Sequence, residues 1–119
     1  MPLNRIILNI YIIERTESGV TCTINNRPVL PRNDLRNHSP DGFEFGYGGS
    51  GPAQLALGIL TDALGDDDRA LNLYQQFKWD IVSRQEMNHW EISKEDVIKY
   101  CNKPVPAKSK ASYRQLHGE

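Results

Sequence analysis

The chain has little of what metal centres and disulfide-stabilised folds require. Its 119 residues contain only two cysteines, Cys22 and Cys101, and three histidines, none of which lies at a helical ligand spacing from another. Two cysteines so far apart give neither a metal-binding spacing nor a disulfide framework. Cys22 alternates with Val20 and Ile24, as expected of a buried core thiol. We therefore expect no metal site, no cofactor and a reducing compartment.

Long hydrophobic runs and a charge excess of either sign are also missing. The apolar run 6–13 is interrupted by Asn9 and Tyr11, is too short to span a membrane, and has no small-residue cleavage site after it. The formal net charge is −1, whereas nucleic-acid binders usually show a basic excess. These absences argue against a membrane or nucleic-acid partner and predict a cytoplasmic protein.

The first thirty residues predict three strands. Residues 5–14 carry apolar side chains on both faces, which indicates a central strand covered on both sides, or covered on one side by a partner. Residues 20–24 alternate in polarity, Asn25 and Asn26 tolerate positive φ, and residues 28–30 return. Pro28 places the returning strand near a sheet edge.

The rest of the chain predicts mainly helices. A long connection over 31–51 holds a short alternating stretch, 43–47, in which we expect an extra strand. Helices are predicted over 52–64, 66–82 and 93–101, with a strand at 90–92. The predicted caps are Ser50 or Gly51 for the first helix, Asp66 for the second and Ser93 for the third. We predict one α+β domain, 1–102, in which three to four antiparallel strands pack against two to three helices, and a polar, mildly basic tail, 103–119.

Residues 46–57 read GYGGSGPAQLAL, a glycine-rich loop opening directly into a helix. With this block, and with the segments 35–43, 64–67 and 77–79, the chain resembles a family of small, functionally uncharacterised bacterial and phage proteins. The resemblance covers roughly the middle half of the chain. It implies no activity.

A glycine-rich loop at a helix N-terminus can gather backbone amides around an anion. Gly46, Gly48 and Gly51 satisfy G-x-G-x-x-G, but the dinucleotide fingerprint needs a following parallel strand, and here a second helix follows. No Lys-Ser/Thr pair follows the glycines, which excludes a P-loop. An anion- or nucleotide-ligand site remains the alternative function, and its residues are Gly48, Gly49, Ser50, Gly51 and Gln54.

The same glycines also suit a purely structural role, as a tight corner. In that role we expect positive φ at Gly48, Gly49 or Gly51, or close approach of another element. On the polar strip of the first helix, we predict that Gly58 permits close approach by a neighbouring segment. We also predict that Gln54 hydrogen-bonds to the backbone of the long loop.

Catalytic patterns are weak. His38 lies near Asp34, Ser39 and Asp41 in the long loop, so a triad-like site is conceivable, but such loop residues more often stabilise turns. A helix-turn-helix reading would turn the acidic segment 66–68 towards phosphates, where binding needs cations. We therefore predict a protein that is not an enzyme and has no catalytic residues.

Aromatic residues point to protein interaction. Trp79 lies opposite the predicted buried stripe of its helix, beside Lys78, and Phe43, Phe45 and Tyr47 form an aromatic ridge that we expect Trp79 to meet. The leading hypothesis is a small non-enzymatic interaction module with a protein partner, and a homodimer is possible through the doubly apolar first strand. Small size and the family resemblance suggest a mobile-element-encoded inhibitor or regulator of a host system, including defence systems such as CRISPR–Cas.

Overall fold

The fold is a four-stranded antiparallel sheet with three helices packed against it, the α+β architecture expected from the sequence. The computed structural model describes residues 8–103. The strands, in the sheet order β3-β2-β1-β4, are β1 (Ile10–Thr16), β2 (Gly19–Ile24), β3 (Arg27–Pro28) and β4 (His89–Ser93). The helices are α1 (Ser50–Leu64), α2 (Asp67–Asp80) and α3 (Lys94–Asn102), with a 3₁₀ turn at Val82–Arg84.

The β2–β3 hairpin follows its predicted turn chemistry. Asn25 and Asn26 have φ values of 53° and 65°, the left-handed pair that a two-residue hairpin turn requires. The returning strand is only two residues long and holds Pro28 at the sheet edge. One further backbone bond, from Val29 N to Cys22 O at 2.9 Å, extends the pairing.

β1 is central, as predicted, but it is covered on one face only. Tyr11 and Ile13 are fully buried beneath the helices, whereas Ile12, which points the other way, is 38 % exposed. Of the two predicted alternatives, cover of both faces is wrong for the described residues, and cover of the second face by a partner stays a prediction. The strand also begins later than expected, since Asn9 has φ 62°, and residues 5–7 of the predicted strand lie outside the described residues.

Helix ends largely match the sequence signals. The Asp66 side chain accepts a hydrogen bond from Arg69 N, and the Ser93 side chain accepts one from Asp96 N. These are the bonds of N-caps. The cap of α1 was predicted wrongly, because Gly49 holds that position and makes no side-chain bond.

α1 is the central element of the core. Twelve of its fifteen residues are buried, and α2 is its main helical neighbour. The long connection before α1 has no regular secondary structure. Within it the expected extra strand is reduced to one bridge, between Phe43 and Val20. The predicted tail beyond Lys103 lies outside the described residues. Within residues 8–103, no helix has the length and apolar character needed to cross a membrane.

Candidate functional site

Gln54 holds the long connection onto α1. Its side chain is fully buried, and its Oε1 accepts hydrogen bonds from the backbone N–H groups of His38 and Ser39 at 2.8 and 3.0 Å. Its Nε2 donates to the carbonyl oxygens of Pro31 and Arg36 at 2.6 and 3.0 Å. The predicted bonding to the loop backbone is confirmed. Because an amide side chain has two donor hydrogens and an acceptor oxygen with two lone pairs, Gln54 has nothing left to offer a ligand.

At Gly48 and Gly51, side chains from other parts of the chain lie directly against the glycine backbone. A Cβ at position 48 would fall within the Trp79 indole, and one at position 51 would lie 2.6 Å from Glu44 Cβ. Gly48, Gly49 and Gly51 do not have positive φ values. Among the glycines of 46–51, the positive φ lies at Gly46 (89°). Close approach, rather than left-handed backbone, is the structural reason for the glycines at 48 and 51.

Gly58 shows the same relationship in the middle of α1. A Cβ there would lie 2.7 Å from the carbonyl oxygen of Leu30 and 3.4 Å from Phe43 Cζ. The predicted close approach is confirmed. The long connection therefore rests directly on the backbone of α1.

These contacts limit the room for an anion at the start of α1. Pro52 has no amide hydrogen, the Glu44 side chain lies against Gly51, and the Trp79 indole lies against Gly48. Ser50 is the one predicted ligand residue whose side chain is exposed. The geometry is that of a packed corner.

The predicted aromatic ridge does not form. Phe45 is 1 % exposed and packs edge-on against Trp90, with their ring centroids 6.0 Å apart. Phe43 is half-buried over Gly58, and Tyr47 is 52 % exposed. The three rings thus occupy three different environments, and Phe45 is a core residue that is not available to a partner.

The rings of Tyr47 and Trp79 nevertheless lie against two adjacent glycines, Gly49 and Gly48. A Cβ at position 49 would lie 2.5 Å from Tyr47 Cε2, and the neighbouring position 48 faces the half-buried Trp79. Lys78 is buried, with its Nζ 4.4 Å from the Trp79 ring centroid and 3.5 Å from Gly48 O. Lys78 therefore supports this surface from beneath.

An exposed arginine, Arg84, lies close to Trp79 at the C-terminal end of α2. Arg84 Nε donates to the Trp79 carbonyl oxygen at 3.3 Å, and Gly46 N donates to Val82 O at 3.0 Å, which ties the loop to the 3₁₀ turn. We call Tyr47, Trp79 and Arg84, together with Gly48 and Gly49, the aromatic corner. Arg84 could not be predicted from the sequence, because no periodic pattern distinguishes it from other surface arginines.

Arg15 was also missed, although its signal was present. It follows Tyr11 and Ile13 at a period of two, so it points to the covered face of the sheet. Its guanidinium lies 4.1 Å from the Phe45 ring centroid, and Nη2 contacts Glu44 Oε1 at 2.7 Å and Phe45 O at 2.9 Å. A charged residue at an inward position of an alternating strand predicts such a buried partner.

Two side chains of residue types common in catalysis, His38 and Cys22, are held in structural contacts. His38 Nε2 lies 2.6 Å from the Tyr74 hydroxyl. Burial, together with the nearby Asp62 carboxylate, raises the pKa of the Cys22 thiol to about 12, which keeps the thiol protonated at neutral pH. A protonated thiol is a poor nucleophile.

Comparison with known proteins identifies the family. Residues 11–103 match the model of a family of unknown function, DUF6166. The chain belongs to this family. The DUF6166 match spans the sheet, the long connection and all three helices. No curated protein and no solved structure matches the chain.

Proposed function

We propose that this DUF6166 protein is a non-enzymatic interaction module that binds a protein partner through the aromatic corner. The observation that carries the proposal is the pair of rings on adjacent glycines, Tyr47 at 52 % exposure and Trp79 half-buried. Tyrosine, tryptophan and arginine are the residue types enriched at the energetic centres of protein interfaces.

The support beneath the corner favours recognition over simple surface packing. Gly48 and Gly49 carry no side chains that would cover the rings, and Lys78 and Gly48 hold the Trp79 ring in place. A rigid aromatic surface loses little conformational entropy when a partner binds. The corner is therefore pre-organised for contact.

Capture experiments with matched variants test the proposal. The immobilised protein is exposed to lysate of the source cell, and the retained proteins are quantified for wild type, Tyr47→Ala, Arg84→Ala and the control Met87→Ala. Met87 is 72 % exposed and lies outside the corner. We expect a partner that wild type and Met87→Ala retain equally and that Tyr47→Ala loses by about tenfold or more. Equal retention by all four proteins would refute the role of the corner.

A finer form of the proposal makes the partner a component of a host defence system such as CRISPR–Cas, with the protein as its mobile-element-encoded inhibitor. Its support is the small size of the chain and the resemblance to small bacterial and phage proteins. Phage plating on cells that carry an active defence system, with and without the protein, tests it. Protection of the phage should disappear with Tyr47→Ala but not with Met87→Ala.

The alternative, an anion or nucleotide ligand at the start of α1, is supported by one contact, that of Lys78 Nζ with Gly48 O. A thermal-shift series with inorganic phosphate, ADP and ATP separates the two functions. A concentration-dependent rise in melting temperature that Ser50→Ala reduces would favour the ligand. The same series gives no shift if the corner is a protein-binding surface alone.

A further inference from the structure

The two edges of the sheet differ in whether a further strand can pair with them. β3 is two residues long and contains Pro28, and a short proline-bearing edge strand is a common protection against pairing. β4 is five residues long, contains no proline, and pairs only with β1 among the described strands. Among the strands of residues 8–103, the sheet is thus protected from further pairing at the β3 edge and open to it at the β4 edge.

The hydrogen-bond register shows which groups of β4 face outwards. The bonds from Arg15 N to Asn88 O and from Lys94 N to Asn9 O fix the alternation of the β1–β4 ladder. In that alternation Trp90 and Ile92 direct their backbone groups to β1, and His89, Glu91 and Ser93 direct theirs away from it. Within residues 8–103, no backbone bond occupies the outward groups of His89 and Glu91, whereas Ser93 is the N-cap of α3, where the carbonyl accepts the first bond of the helix.

The open edge carries a basic and an acidic side chain two residues apart, His89 and Glu91. His89 and Glu91 both lie on the uncovered face of the sheet and are about half exposed, and His89 Nε2 is 2.9 Å from Glu91 Oε2. His89 also faces Glu14 of β1, with Nδ1 3.8 Å from Oε2. If β4 of a second copy lies antiparallel along this edge, its His89 and Glu91 follow in the reverse order, so that each residue can lie opposite the other type.

We propose that β4 pairs in antiparallel orientation with β4 of a second copy of this chain. A two-fold axis passes through the paired Trp90 residues, and the two sheets join into one continuous sheet of eight strands. In this register the outward-facing His89 of one copy lies opposite Glu91 of the other, and the reverse pair forms by symmetry. This surface is separate from the aromatic corner and does not depend on the proposed function.

Charge selects this register over its neighbours. Moving the axis by one residue to Glu91, which slides the two strands by two residues, sets two carboxylates directly opposite each other. A shift in the other direction sets His89 opposite its own copy. Like charges directly opposite on adjacent strands are destabilising, and opposite charges are stabilising.

Trp90 adds an observation on the covered face. It is 8 % exposed, and its indole Nε1 is buried with no hydrogen-bond partner among the described residues. The two-fold axis brings the two Trp90 residues opposite each other on that face, where the second copy covers the remaining exposed part of each ring. Cross-strand aromatic pairs stabilise adjacent strands.

The test uses complementary charge variants of the full chain. Sedimentation velocity near pH 6, where an ordinary imidazole is largely protonated, is expected to show wild type moving from 13.5 kDa towards twice that mass as its concentration rises. His89→Glu sets two carboxylates opposite each other, and Glu91→Lys sets two cations opposite each other. Each is expected to weaken self-association by about tenfold.

Mixing the two variants is the decisive measurement. One copy of each restores opposite charges at both pairs, so the mixture is expected to dimerise at concentrations at which each variant alone is mainly monomeric. Recovery on mixing also shows that the variants are folded. Glu95→Lys, the same charge change at an exposed position on α3, is the control and should dimerise like wild type.

Amide exchange reports on the edge directly. We expect the amides of His89 and Glu91 to gain protection as protein concentration rises. A wild-type chain that stays monomeric at all concentrations overturns the proposal, as does protection of these amides that does not depend on concentration, which would show that the chain's own residues cover the edge. Failure of the mixed variants to associate overturns the proposed register.

Discussion

The hydroxyl of Tyr11 donates a 2.6 Å hydrogen bond to Asp62 Oδ2 and so joins β1 to α1 at the base of the core. The other carboxylate oxygen of Asp62 lies 2.9 Å from Arg27 Nη1. Burial, followed by the bond and charge of Asp62, raises the pKa of the Tyr11 phenol well above its ordinary value. The phenol therefore stays protonated and acts as a donor at neutral pH.

Replacing Tyr11 with phenylalanine is expected to lower the free energy of unfolding by about 1–2 kcal/mol, because a charged acceptor loses a buried donor. Urea denaturation at neutral pH measures the change. Tyr100→Phe is the matched control, since its hydroxyl donates to Asp80 Oδ2 at 2.7 Å at the surface. If Tyr100→Phe lowers the free energy of unfolding as much as Tyr11→Phe does, burial of the Tyr11 hydroxyl is not the reason for the loss.

Removal of the Gln54 amide should be among the most damaging single changes in the chain. Gln54→Met keeps the length of the side chain but leaves four backbone groups of the long connection without their partner. We expect a loss of about 3 kcal/mol or more, read from urea denaturation. Gln75→Met should cost far less, because Gln75 Nε2 makes one long bond, of 3.4 Å, to the Tyr74 hydroxyl and its Oε1 has no hydrogen-bond partner within residues 8–103. Similar losses at both positions would show that the amide bonds of Gln54 are not the cause.

Gly48 and Trp79 should be energetically coupled. Gly48→Ala places a methyl group where the indole lies, so we expect a loss of about 1–3 kcal/mol from overpacking. In a Trp79→Ala background the space is free, and the same change should cost much less. A double-mutant cycle measures the coupling. Additive losses would mean that Gly48 is required for some reason other than contact with Trp79.

The stability contributed by His89 should depend on pH. The hydrogen bond to Glu91, with the charge of Glu14, raises the pKa of His89 in the folded state. The contribution is then fully present below the ordinary value of about 6.5 and is lost as the pH rises through the higher folded-state value. Urea midpoints of wild type and His89→Gln, measured at a concentration too low for self-association, should differ most at acid pH. NMR titration of Glu91→Gln should show a lower His89 pKa, and an unchanged value would contradict this cause.

Local chemistry made much of the fold predictable. Asn25 and Asn26 marked their turn, Asp66 and Ser93 marked their helices, and the isolated polar strip on α1 identified Gln54 and Gly58. Each of these features depends on a few neighbouring residues. Their physical requirements are visible in a short stretch of sequence.

The errors came from features that depend on distant parts of the chain. Apolar residues on both faces of 5–14 predicted cover on both sides or a partner on one side, but Ile12 is 38 % exposed, since a β-branched residue also suits an exposed strand position. The ridge of Phe43, Phe45 and Tyr47 assumed a regular alternation, and the positive φ values of Gly42 and Gly46 interrupt it on both sides. The aromatic corner was found only in part, because the approach of Trp79 to Gly48 joins two segments some thirty residues apart.

The enclosure of α1 has a consequence for synthesis of the protein. The helix contacts segments that are translated before it, β1 and the long connection, and α2, the 3₁₀ turn and α3, which are translated after it. Its apolar surface therefore stays without cover until the C-terminal segments leave the ribosome. A domain built in this way completes its core only after α3 has been translated, and a chain truncated before α2 exposes a hydrophobic helix to chaperones and proteases.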